Sequence, residues 1–290
     1  MKKTVCRFTR YMLLALMGVT LLLSVAFAQS GDTQHPAALF MNVGKADSAV
    51  FWVGGKTYLV DTGSKDSTDA MLRALQIHDV THLDGVFITH TDKDHVGGLK
   101  ELLKSNISVD KLYTPRFHAE KSDDKHPVYG ASQSYGVPME WLSAGDVIEA
   151  DADHRFVVLG PLSQAANDND NSLVMDLQTP HGNILLTGDM EFPEETELLN
   201  ANVIPQATVL KVSHHGEDDT SSRLFLARVK PQWAVISTST AEEKDTPSPK
   251  VVALLWDVKA DVAVTQDATC GIYVTLQDGD ATAQLINYTE

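Results

Sequence analysis

Thr89-His90-Thr91-Asp92-Lys93-Asp94-His95-Val96-Gly97-Gly98 sets two histidines and two aspartates within six positions, directly after the apolar run Gly85-Val86-Phe87-Ile88. That run reads as a buried strand, so the polar string begins where a strand ends and the chain turns. Imidazole and carboxylate together suit zinc and also manganese or iron, and a strand-to-helix turn points alternate side chains at one centre. Gly97-Gly98 lets the backbone turn tightly before a helix starting near Leu99. Two more strings have the same form. Leu185-Leu186-Thr187-Gly188-Asp189 is an apolar strand ending in a carboxylate, and Val209-Leu210-Lys211-Val212-Ser213-His214-His215-Gly216 is one ending in two histidines. Alone, Gly-Asp is an ordinary turn. Three strand ends that each release metal-type side chains require coincidence three times over, so His90, Asp92, Asp94, His95, Asp189 and one of His214 and His215 are candidate metal ligands.

Around these strings, β-branched runs alternate with short helical patterns along the whole chain. Strands are expected at 38–43, 49–53 and 57–61, with Gly54-Gly55 as the turn between the last two. A helix follows at 66–76, with Met71, Leu72 and Leu75 on one face. The second half repeats the pattern, with strands at 156–159, 172–177, 183–187, 208–212, 234–237, 262–265, 271–276 and 283–286. Helices are expected at 194–200, 221–229 and 247–255, the last opened by Pro247 in its first turn. Residues 117–138 lack an apolar period and read as a loop or helix over the site. The five-residue run Asn167 to Asn171 reads as a turn into the next strand. The mixture predicts an α/β fold with two sheets face to face and helices outside.

The N-terminus is a separate matter. Lys2, Lys3, Arg7 and Arg10 precede an apolar run from Tyr11 to Phe27 that closes on Ala26-Phe27-Ala28, the pattern of a secretory signal peptide over residues 1–28. An uncleaved anchor is the alternative and leaves the domain on the same side of the membrane. Cleavage predicts a periplasmic or secreted protein, without stable membrane insertion, whose residues 35–290 form a single domain. Cys6 lies in the leader, so Cys270 alone remains and no internal disulfide forms. Cys270 reads as a buried strand residue. The 290-residue chain has a formal charge of −16, and loss of the four leader bases leaves 39 acids against 19 bases. Such a field repels polyanions, and no basic stripe for non-specific nucleic-acid binding is visible. Metal ions still supply local positive charge for a phosphodiester substrate.

Read together, His-x-Asp-x-Asp-His-x-Gly-Gly, Leu-Leu-Thr-Gly-Asp and Leu-Lys-Val-x-His-His-Gly resemble the metallo-β-lactamase superfamily. More narrowly they resemble the branch holding the hydrolase domain of the ComEC competence proteins, with the phosphorylcholine esterases as relatives. Residues 40–47, Val60-Asp61-Thr62-Gly63 and Asn171-Ser172-Leu173-Val174 stand in the places of that branch's other motifs. The resemblance runs through the mature chain and implies a four-layer αββα sandwich. It also implies two divalent metal ions, zinc first and manganese second. His90 and Asp92 would hold one ion and Asp94 and His95 the other, with Asp189 bridging and His215 as the further ligand. Asp94 and His214 are the implied catalytic groups, Asp94 positioning a metal-bound hydroxide and His214 facing the leaving oxygen or substrate. Asp61, and Asp47 with it, would brace the ligands.

The departures from that pattern are Asn42 for aspartate, Lys45-Ala46 for Gln-Gly, Glu217 for serine and Thr246 for histidine. A third histidine common in the superfamily has only His154, His181 or Asn171 as candidates for its place. The implied activity is an exported phosphodiesterase or nuclease acting on a small-molecule or nucleic-acid phosphodiester, with no obligate protein partner called for. The alternatives are hydrolysis of lactones, amides or other carboxylic esters, and a metal-binding module without turnover.

Overall fold

Alternation along β1 (Ala37–Met41) shows how the layers arise, because Ala38 and Phe40 enter one apolar cluster while Leu39 and Met41 enter another. A strand buried on both faces needs a partner layer on each side. The structure is a computed structural model describing residues 35–119 and 122–289, within a unit spanning Thr33–Glu290. The leader expected over residues 1–28 lies outside them.

The first half continues with β2 (Ala49–Val53), β3 (Lys56–Val60), α1 (Thr68–Ile77), β4 (His82–Leu83), β5 (Gly85–Phe87), α2 (Lys93–Val96) and α3 (Leu99–Lys104). Next come β6 (Ser108–Val109), β7 (Leu112–Pro115), α4 (Pro127–Tyr135), β8 (Met139–Leu142) and β9 (Val147–Glu149). The second half holds β10 (Arg155–Gly160), β11 (Val174–Thr179), β12 (Gly182–Leu186), α5 (Phe192–Asn200), β13 (Val209–Lys211) and α6 (Arg223–Val229). It closes with β14 (Trp233–Ile236), α7 (Pro249–Asp257), β15 (Asp261–Val264), β16 (Gly271–Gln277) and β17 (Asp280–Ile286).

One sheet runs β17-β16-β1-β2-β3-β5-β7-β8 and the other β15-β14-β13-β12-β11-β10-β9; β4 and β6 form a small pair. Between the sheets lie Phe40, Phe51, Phe87, Phe156, Leu177 and Ile184, with Phe51 and Phe156 edge to face at 6.2 Å. Outside the first sheet, Met71 and Leu75 of α1, Leu99 and Leu102 of α3, and Val128 and Ala131 of α4 cover Leu39, Leu59 and Val86. Outside the second, Leu198, Phe225, Leu226, Val251 and Leu255 cover Leu185, Leu210 and Ala234. The order is therefore helix, sheet, sheet, helix: the αββα sandwich.

Two expectations need correction. Residues 117–138 are not one cover over the site, because α4 turns Val128 and Ala131 into the outer core and only the stretch before it stays irregular. The last helix begins at Pro249, not Pro247. Ser248 precedes a proline and is held extended at ψ 128°, so the helix cannot start before Pro249.

The second sheet also buries Glu194 of α5, both of whose carboxyl oxygens lack a hydrogen-bond partner. Burial, then the charges of Asp170 and Glu197, pushes its pKa well above the usual range. The folded protein thus holds a proton that the unfolded chain releases above roughly pH 4.3, so this group lowers stability as pH rises from there towards the folded pKa. For Glu194→Gln the Tm difference, variant minus wild type, is expected to grow in the positive direction between pH 4 and pH 8. Parallel melting curves check it, and a flat or falling difference contradicts it.

Candidate metal centre

Asp61 directly follows β3 with φ at +59°, a left-handed conformation that is costly for a residue with a Cβ. What it gains is position. Its carboxylate accepts from the amide and hydroxyl of Thr89, each at 2.8 Å, and meets His95 Nδ1 at 2.8 Å. With Nδ1 engaged, His95 presents Nε2 to Asp189 Oδ2 at 3.1 Å. The glycines after His95 serve close approach: a Cβ on Gly97 would stand 2.5 Å from Lys65 N, and one on Gly98 would overlap the Thr62 carbonyl oxygen. The metal loop is thereby pressed onto the loop after Asp61, where Thr62 N donates to the His95 carbonyl at 2.7 Å.

Asp189 arrives from the end of β12 and His215 from the end of β13, parallel neighbours in the second sheet. His214, His215 and Gly216 all have positive φ, and this tight left-handed turn sends the two imidazoles apart. His215 turns inward and is fully buried. Its Nδ1 lies 2.9 Å from the Ser237 carbonyl oxygen, and its Nε2 is 3.2 Å from Asp94 Oδ2 and 3.3 Å from Asp189 Oδ2. His214 instead faces Asp219 through Nδ1 at 3.0 Å, with Asn169 Nδ2 at 3.5 Å from Nε2.

The ligand atoms of Asp94, His95, Asp189 and His215 all lie within 4.8 Å of one another. His90 and Asp92 form a looser set beside them, His90 Nε2 being 3.9 Å from Asp92 Oδ2 and 4.0 Å from Asp189 Oδ2. The His90 and His95 rings lie 4.1 Å apart between centroids, tilted by 48°. Asp189 is thus common to both sets.

The charges are unequal to one another. Burial opposes the ionised form of Asp189, but His215 and His95 outweigh it and hold its pKa well below the usual range. Burial likewise opposes a proton on His215, yet Asp189 and Asp94 raise its pKa to about 9, and Asp189 and Asp61 raise that of His95 well above 6.5. Burial and the charge of His95 lower that of His90. Protons on two imidazoles are therefore what compensates the carboxylates in the protein alone, and divalent cations at these atoms must displace them. The donor set fits such cations: His90 Nε2 and Asp189 Oδ1 are buried with no hydrogen-bond partner, each orphan costing about 1–3 kcal/mol.

Several residues that hold the site together have no role in the sequence reading. Asp168, within the run read as a simple turn, accepts from Thr91 N at 2.9 Å and from Ala119 N at 2.8 Å, tying the metal loop to the irregular stretch before α4. Ser172 Oγ accepts from Asp189 N at 3.0 Å and lies 3.4 Å from His90 Nδ1. Lys211 is buried behind the centre, 2.8 Å from Asp47 and 2.9 Å from the Val212 carbonyl oxygen. The places weighed for a third histidine fall elsewhere. His154 is held by Asp151 in a hairpin turn, His181 meets His35 edge to face, and the Asn171 carboxamide is spent on Ala165 and Asn167. Of the four departures, Asn42 donates to the Ala268 carbonyl oxygen at 2.8 Å, and Thr246 shares a 2.6 Å hydrogen bond with Thr238. Both are structural contacts.

Metal-loaded protein is expected to lose roughly 5–10 °C in Tm on chelation, the effect of removing a ligand held at about 100 times its Kd. Elemental analysis is expected to show less bound metal in His215→Ala and an unchanged content in His154→Ala; equal content in both would remove His215 from the centre.

The profile of the Metallo-beta-lactamase superfamily matches residues 41–239. ComE operon protein 3 of Bacillus subtilis is 35% identical over 178 residues, covering 61% of this chain and 22% of that protein. Recombination protein 2 of Haemophilus influenzae is 28% identical over 204 residues, covering 68% and 24%. The chain thus spans about a quarter of the length of these curated relatives. A solved metal-dependent hydrolase of the beta-lactamase superfamily, Tm1679, superposes with a TM-score of 0.56 at 10% identity, over 84% of this chain and all of that one, which bears on the fold. With the profile covering well over half of the sequence and the ligand strings meeting at one centre, the chain belongs to the metallo-beta-lactamase superfamily and has its metal-dependent hydrolase fold.

Proposed function

We propose that this protein is an exported phosphodiesterase acting at a centre of two divalent ions, and that its substrates are small phosphodiesters or short single strands in preference to long duplexes. The observation that carries the reading is the shared carboxylate: Asp189 stands between a set of Asp94, His95 and His215 and a set of His90 and Asp92. Relatives named for competence and recombination support a nucleic-acid-like substrate class. The excess of 39 acidic over 23 basic residues argues against a polyanionic one.

Bound divalent ions supply Lewis-acid polarisation of a phosphoryl oxygen and lower the pKa of water to roughly 7. The protein supplies orientation and proton handling. Asp94, about a third exposed at the edge of the cluster, is placed to accept a hydrogen bond from the attacking water and aim it. Asp61 and the Ser237 carbonyl oxygen fix the tautomers of His95 and His215. His214, held by Asp219 on Nδ1, keeps Nε2 between Asn169 at 3.5 Å and Glu217 at 3.8 Å, and from there gives a proton to the leaving oxygen. The described residues include no helix long and apolar enough to cross a membrane. Export rests on the leader sequence alone.

With zinc or manganese added, bis-p-nitrophenyl phosphate is expected to be hydrolysed, and EDTA or Asp189→Ala to abolish the activity. His214→Ala is expected to lower kcat by about 10²–10⁴-fold with metal content retained, the usual size for a general acid. Turnover of a lactone or nitrocefin without phosphodiester cleavage would replace this reading with carboxylic ester or amide hydrolysis. Metal without any turnover would replace it with a binding module. N-terminal sequencing of protein recovered from outside the cytoplasm of a bacterial host is expected to begin at Gln29; retention of residues 1–28 would favour the anchor.

A further inference from the structure

Three chain segments meet at one side of the centre. Lys45, in the loop between β1 and β2, forms a 2.7 Å ion pair through Nζ with Glu217 Oε1, two residues beyond His215. Its backbone amide donates to Glu242 Oε2 at 3.1 Å, from the loop after β14. Gly44 has φ +80°, and a Cβ there would meet the end of the Glu242 side chain, so that carboxylate lies against the loop. The Lys45 side chain itself is not locked away, being 22% exposed against 30% for Glu217. The same Glu217 Oε1 lies 3.8 Å from His214 Nε2, so the ion pair adjoins the histidine turn of the centre. Both partners are positions where the sequence departs from the ComEC-like pattern.

We infer that Lys45 is a specificity-determining anion hook: its ammonium takes a non-bridging phosphoryl oxygen of the substrate, and Glu217 is the internal competitor that holds it until substrate arrives. The inference rests on the phosphodiester reading above and adds to it the residue that selects for negative charge. A partly exposed ion pair is in reach of water and screened by it, so an incoming anion already anchored elsewhere can displace Glu217. The hydrogen bond from its amide to Glu242 holds the Lys45 backbone during the exchange, and only the side chain has to move. Glu217 then stays beside His214 and repels further negative charge, which limits the number of phosphates that can enter together.

The two partners should respond in opposite directions. For bis-p-nitrophenyl phosphate, Lys45→Ala is expected to raise KM about tenfold with kcat within about twofold of wild type, while Glu217→Gln lowers KM several-fold. Inorganic phosphate titrated calorimetrically into the metal-loaded protein should follow the same order, Glu217→Gln tightest and Lys45→Ala weakest. Lys45→Arg should restore most of the affinity. A merely structural ion pair would make both variants worse together, and that result overturns the inference, as does phosphate affinity that is the same in all four proteins or undetectable in all of them. If phosphate affinity follows the predicted order but no phosphodiester is cleaved, the hook stands and the phosphodiesterase reading fails. Phosphodiester cleavage with an unmoved KM in both variants fails the hook alone.

Discussion

Asp189 is buried at 3% exposure between two imidazoles, and the rest of the structure is arranged around making that tolerable. An isolated carboxylate in such a place would be neutralised by a shift of its pKa, because removing an ion from water costs far more than any single contact returns. Here it is kept ionised by His95, from the segment after β5, and His215, from the segment after β13, and those two strands belong to different sheets. The sandwich therefore has to be closed for the charge balance to exist. Packing of Phe51 against Phe156 between the sheets and compensation of Asp189 at their edge are two aspects of one assembly.

The ligand strings were legible because they are local. Each follows an apolar run of a few residues, and strand ends deliver side chains to one edge of a sandwich irrespective of strand order. The layers were legible for a similar reason, since the two-residue period of Leu39 and Phe40 already sorts side chains to two faces. What the sequence hid depends on distance along the chain. Nothing near Asp168 announces that it will bind Thr91, 77 residues earlier, and nothing near Lys211 marks it as the partner of Asp47. Short strands such as β8 and β9, with alternate residues exposed or half exposed, lack the apolar density that marks the central ones. Pro247 and Pro249 both satisfy the rule for a helix start, and only the constraint on Ser248 separates them.

The substitutions that set the chain apart from its resembling branch divide by location. Asn42 and Thr246 satisfy hydrogen bonds within the framework, to Ala268 and Thr238, and leave the cluster of ligands intact. Lys45 and Glu217 contact each other next to the histidine turn, Glu217 lying two residues past His215. The departures thus divide between the framework and the surroundings of the ligands, around a metal loop that keeps the pattern. Asp168 is the exception, because one carboxylate serves both Thr91 of the metal loop and Ala119 of the irregular stretch before α4. A change in that stretch is felt directly at the ligands.

The pairing of β1 with β16 joins Ala37 to Thr275, near opposite ends of the described chain. During synthesis the first strand therefore waits for almost the last residues before its second neighbour exists, and contacts this distant in sequence form slowly. His90 to His95 emerge long before Asp189 and His215, so a growing chain displays an incomplete and weak chelate. Firm capture of metal is deferred until the polypeptide is nearly finished, and the ion then acquired is the one present in the compartment where folding ends.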